Sequence, residues 1–113
     1  YWLSRIIYAE SGNQPLDGKI AVGNVVLNRV ASPRFPNSVY EVIFQRNQFT
    51  PAANGSINRT PSAESVVAAK LCLDGANTAG SALYFVNPTV APGSWASRNR
   101  PYVATIGAHA FYG

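Results

Sequence analysis

Of the five acidic side chains in this 113-residue chain, four stand where a structural role explains them. Asp17 precedes an apolar helical stretch as an N-cap oxygen, and Glu41 follows Ser38 at capping-box spacing. Glu64 falls in the first turn of a later helix, where it complements the macrodipole, and Asp74 stands at that helix's exit beside Gly75. Glu10 has no such role. It ends a helical stretch in which Leu3, Ile6 and Ile7 share its face. The negative end of the helix dipole and desolvation both disfavour its charged form there, so its pKa is expected to rise. A carboxyl kept protonated near neutral pH is what a general acid needs. The competing reading is a carboxylate that swings past Gly12 into solvent or pairs with an arginine.

The other reactive residues offer less. Cys72 has no second cysteine to pair with and sits inside an apolar helical run, which reads as a buried structural thiol rather than a nucleophile. His109 alternates with Ala108 and Ala110 in an expected strand, where a surface or hydrogen-bonded role outweighs catalysis, so it is a second-tier candidate. One Cys and one His cannot supply the about four ligands of a structural zinc, and neither a metal nor a cofactor is expected.

Phe49, Tyr84, Trp95 and Tyr102 fall in or beside expected loops, with the amides of Gln48, Asn87 and Asn99 nearby. Aromatic faces and amides complement the C–H faces and hydroxyls of sugars. For Tyr84 and Tyr102, a place in the core of a small sheet competes with that role. The net charge of +4 favours a polyanionic partner, yet the basic residues are dispersed apart from Arg98 and Arg100. Anionic wall polymers fit this pattern, and nucleic acid is not expected.

The elements that must position these residues follow from periodicity and punctuation. A short helix over Trp2 to Glu10 leads to a central helix from about Gly18 to Val30. A third, short helix runs from the Ser38 capping box to about Gln45, and a structured loop carrying Phe49 and Thr50 spans Arg46 to Arg59. A fourth helix starts at Thr60-Pro61 and ends before Gly75. Ala82 to Val86 reads as a strand, and Tyr102 to Tyr112 as a hairpin turning near Gly107. The result is one α+β domain over residues 1–113, helices first and a small antiparallel sheet last. No run approaches the about 18 apolar residues of a membrane span. With no Met at its start, the chain is expected to be processed or excised from a longer protein.

The segments Ala9-Glu10-Ser11-Gly12-Asn13-Gln14-Pro15 and Gly18-Lys19-Ile20-Ala21-Val22-Gly23-Asn24-Val25-Val26-Leu27-Asn28-Arg29-Val30 resemble the opening of the SleB/CwlJ cell-wall hydrolase domain. The likeness continues through Pro33-Arg34-Phe35-Pro36, Gln48-Phe49-Thr50, Ala82 to Pro88 and Ile106 to Phe111, in order along the chain. That family includes the spore cortex-lytic enzymes. The resemblance implies a lysozyme-like fold with Glu10 as the catalytic residue. The family's typical motif carries a second Glu four residues later, where this chain has Gln14.

With one convincing acid, the resemblance implies lytic transglycosylase chemistry on the MurNAc-β-1,4-GlcNAc bond of peptidoglycan, the substrate's own C6 hydroxyl replacing a positioned water. Gln48, Phe49, Thr50, Tyr84, Asn87 and Trp95 are expected to line the glycan groove. A monomer acting outside the cytoplasm, on cell wall or spore cortex, is expected. Two alternatives remain: a hydrolytic muramidase with Glu41 or Glu64 as second acid, and a non-catalytic glycan-binding module.

Overall fold

The computed structural model describes residues 1–113. Its first helix, α1 (Trp2–Ser11), buries Leu3, Ile6 and Ile7 against α2 (Leu16–Ala31), whose Val22, Val25 and Val26 are wholly inaccessible. These two helices and α5 (Ala63–Leu73) pack on one another, with α3 (Val39–Phe44) against α1 and α2. The helices approach closely where α2 carries Gly23. A Cβ there would stand 2.6 Å from the Cys72 sulfur and 3.0 Å from Ile7 Cδ1. No helix is long and apolar enough to cross a membrane.

The sheet comes last, as expected for an α+β chain. Strands β1 (Tyr84–Val86), β2 (Tyr102–Ile106) and β3 (His109–Tyr112) are antiparallel in the order β1-β3-β2. Tyr84 pairs with Tyr112, Phe85 with Phe111 and Val86 with Ala110. Period-two alternation then divides the residues between two faces. Phe111 joins the main core, with Phe85 packed against it, whereas Ala110 and Tyr112 form a second cluster with Tyr84, Val86 and Ala96.

Polar side chains of α2 anchor the chain that leads into β1. Asn24 Nδ2 donates to the Ala76 carbonyl at 2.9 Å, and Asn28 Nδ2 to that of Ala82 at 2.9 Å. Arg29 Nε donates to the Leu83 carbonyl at 2.7 Å. The hairpin is anchored from the other side. Gln14, in the turn between α1 and α2, accepts from the Ala108 N–H at 2.9 Å. Gly107 turns the hairpin at φ +58°, with the Gln14 side chain so close that a Cβ would collide with it.

Several local expectations are corrected. Helix α2 begins at Leu16 behind Pro15, so Asp17 lies in its first turn and makes no cap. Fixed at φ −62°, Pro15 sets the helix start without a side-chain oxygen. Helix α5 is capped by Ser62, which accepts from Ser65 N at 3.1 Å, rather than by Thr60. Ser38 does accept from Glu41 N at 3.1 Å, but its hydroxyl also donates to the Glu41 carboxylate at 2.9 Å, in place of the reciprocal backbone bond. The expected loop over Arg46 to Arg59 contains α4 (Thr50–Asn54) and a 3₁₀ turn (Ser56–Asn58), since Pro51 is a helix starter here rather than a breaker. A further short helix, α6 (Trp95–Asn99), stands before β2, capped by Ser94.

Candidate active site

Glu10 is the penultimate residue of α1, partly buried, and its carboxyl makes neither an ion pair nor a hydrogen bond with the protein. Burial raises its pKa above the ordinary carboxylate value. It lines two hollows. The first, about 360 Å³, is lined by Glu10, Gln48, Phe49, Thr50 and Asn87, together with Arg29, Phe85 and His109. The second, about 420 Å³, is also lined by Glu10, together with Tyr8, Asn13 and Arg59. Both volumes suit a sugar-sized group.

The other four acids are elsewhere, as none lines either hollow. Glu64 pairs with Lys19 at 2.7 Å, and Glu41 is held by Ser38. Gln14 is engaged with the hairpin, so the position where the resemblance places a second Glu serves here to dock β3 beside α1.

Four expected groove residues, Gln48, Phe49, Thr50 and Asn87, are brought together with Glu10. Tyr84 and Trp95 are not, and the reason is strand alternation. Tyr84 points to the sheet face covered by α6, where its ring meets Trp95 edge-on at 5.6 Å. Its neighbour Phe85 takes the cleft side.

Sequence reasoning passed over Arg29, which is 5% exposed. Its Nη1 donates to Gln48 Oε1 at 3.1 Å, and its guanidinium lies 4.7 Å from the Phe35 ring centroid and 5.3 Å from those of Phe49 and Tyr84. Burial pushes its pKa down to about 10, against a smaller opposing pull from Tyr84, and it remains a cation at neutral pH. With its carbonyl held by Arg29, Gln48 can turn its amide N–H₂ to the cleft. Its place three, four and seven residues after Val26, Val25 and Val22, on the apolar face of the helix, was the available signal.

His109 is also corrected. Rather than a surface or hydrogen-bonded strand residue, it is 7% exposed, lines the cleft, and has an Nδ1 with no hydrogen-bond partner. Burial lowers its pKa. Cys72 lies in the core, donating to the Ile20 carbonyl at 3.3 Å, and burial pushes its thiol up to about 11. That thiol is inert at neutral pH.

Residues 13–112 match the model of a family described as cell wall hydrolase, and the chain belongs to that family. The match starts after Glu10. The chain is 39% identical over 109 residues to a spore cortex-lytic enzyme of Bacillus cereus, covering 96% of this chain and 42% of that protein. It is 38% identical to the spore cortex-lytic enzyme of Bacillus subtilis, covering 96% and 35%. It thus spans less than half the length of these curated relatives. Among solved structures, it is similar to the catalytic domain of the germination-specific lytic transglycosylase SleB from Bacillus anthracis, with a TM-score of 0.91 at 38% identity over 99% of this chain and 91% of that one. The catalytic domain of the Bacillus cereus SleB protein gives 0.89 at 39% identity, over 98% and 86%.

Proposed function

We propose that residues 1–113 form a single peptidoglycan-cleaving unit, a lytic transglycosylase in which Glu10 acts alone, first as acid and then as base. The observation that carries this reading is an unpaired, partly buried carboxyl that lines two hollows, with no second acid lining either. A glycan laid across Glu10 places one sugar in each hollow and the bond between them at the carboxyl.

Protonated Glu10 gives its proton to the glycosidic oxygen as the C1–O bond of N-acetylmuramic acid breaks and positive charge develops on that ring. The resulting carboxylate takes the proton of the C6 hydroxyl as O6 bonds to C1. The products are a free 4-hydroxyl on N-acetylglucosamine and a 1,6-anhydromuramoyl end, with no water consumed. Glu10 is returned protonated. An intramolecular nucleophile suits a site with one carboxyl, because it needs no second base to position water.

The similarity to cortex-lytic enzymes makes spore cortex the first substrate to assay, beside vegetative wall, and the reading places the protein outside the cytoplasm. The cleft is built from one chain, so a monomer suffices. The test is mass spectrometry of soluble fragments released from purified cortex and wall peptidoglycan. Anhydromuramoyl fragments that vanish with Glu10→Gln support the reading, and release by Glu10→Gln at more than about a tenth of the wild-type rate would remove Glu10 from the catalytic role.

A further inference from the structure

His109 opens β3, and the period of that strand turns it to the same face as Phe111, toward the helices and the Glu10 cleft. Gln14 holds the neighbouring Ala108 N–H, which fixes the hairpin against the turn that follows Glu10. The imidazole is packed edge-on to Phe85 at 5.2 Å and to Phe111 at 6.3 Å between ring centroids. Its Nδ1 is sealed there with no partner. The nitrogen left to meet anything in the cleft is therefore Nε2.

A neutral imidazole carries one N–H. A sealed N–H without an acceptor is a costlier orphan than a sealed lone pair, so the proton belongs on Nε2. Burial lowers the imidazole pKa and so favours the uncharged side chain. We propose that His109 is a further substrate-contacting residue of this cleft, presenting Nε2–H as an uncharged hydrogen-bond donor to an oxygen of the bound glycan. The absence of charge suits the chemistry. Glycosidic cleavage builds positive charge on the sugar ring, which an imidazolium would oppose and a neutral donor does not. The assignment rests on the reading of the Glu10 cleft as the glycan site.

Replacing the ring by Leu removes the donor, whereas Gln can return an N–H near the place of Nε2. His109→Leu is expected to lower kcat/KM on purified peptidoglycan about tenfold, with His109→Gln within about threefold of wild type. Unchanged kcat/KM in His109→Leu would overturn the proposal. So would an equal loss in His109→Gln at an unchanged melting temperature. A second measurement stands even if His109→Leu does not fold. Nitrogen-15 NMR of the wild-type imidazole is expected to show the Nε2–H tautomer, and its signal in Glu10→Gln protein is expected to move on saturation with a GlcNAc–MurNAc tetrasaccharide. An Nδ1–H tautomer, or a signal unmoved at saturation, would overturn it. A wild-type protein that releases no fragments would defeat the proposed function instead, and the tautomer in the free protein would still decide the present point.

Discussion

Helix α2 buries a cation near each end, and the two ends treat it differently. Near the start, Lys19 is closed off by the Glu64 carboxylate at 2.7 Å and by the Gln14 carbonyl. Near the end, Arg29 is as deeply buried but meets no carboxylate, only the Leu83 carbonyl, the Gln48 amide and three aromatic faces. The acids mirror this arrangement. Glu64 is paired and lines neither hollow, whereas Glu10 is unpaired and lines both. The one ion pair thus joins α2 to α5, and the unpaired acid and cation both line the opening at Glu10. A carboxyl beside the Arg29 guanidinium would be held ionised and could not serve as an acid at neutral pH.

The largest effect that can break this contrast is on turnover. Glu10→Gln is expected to lower muropeptide release by at least about 10²-fold with the circular dichroism spectrum unchanged, while Glu64→Gln leaves the rate within about twofold. Comparable losses in the two variants would erase the distinction between the paired and the unpaired acid.

Next comes stability at the Arg29 end. Arg29→Ala strands the Leu83 carbonyl and frees the Gln48 side chain, and about 2 to 4 kcal/mol should be lost from the denaturant midpoint analysis. Arg29→Lys should recover little, because a point charge cannot span the two acceptors and the aromatic faces together. At the Lys19 end the effect should be smaller. Glu64→Gln leaves a buried ammonium with only the Gln14 carbonyl, and about 1 to 2 kcal/mol is expected once the half-exposed position of Glu64 is allowed for. Lys19→Met should fall within about 1 kcal/mol of wild type.

The smallest effect sharpens the account of Glu10. Its folded pKa is raised, so the folded state gains relative to the unfolded one while the carboxyl is protonated. That advantage is lost as pH rises through the folded value. Glu10→Gln, which cannot ionise, should therefore melt higher than wild type on the alkaline side of that pKa, with the gain vanishing near pH 4. The same ionisation should form the alkaline limb of the wild-type pH–rate profile, displaced upward from an ordinary glutamate. An alkaline limb at the ordinary carboxylate value would contradict the burial argument.

That Glu10 is the acid left partly buried and unpaired was legible by elimination, because acids are few and most competitors have a local explanation, even though Asp17 proved not to cap α2. The long helices were legible from their apolar period. What could not be read was orientation within the sheet. Tyr84 and Phe85 are adjacent aromatics, and only the pairing of Phe85 with Phe111 decides that Phe85 faces the cleft and Tyr84 faces α6. The same register buried His109. Trp95 lies on a five-residue helix, too short for periodicity to reveal, and that helix carries it to the far side of the sheet beside Tyr84. Arg29 was read as one of many dispersed cations, because its acceptors, Leu83 and Gln48, are distant in sequence.

The central claim is that one carboxyl does the work of two, and the products report on it directly. Wild-type protein incubated with purified peptidoglycan should leave a 1,6-anhydro ring at every cleaved muramoyl end, one water lighter than the hydrolysed sugar by mass spectrometry, with no muramitol after borohydride reduction. Fragments dominated by reducing muramic acid would show that water attacks, and would contradict the account of Glu10 acting alone.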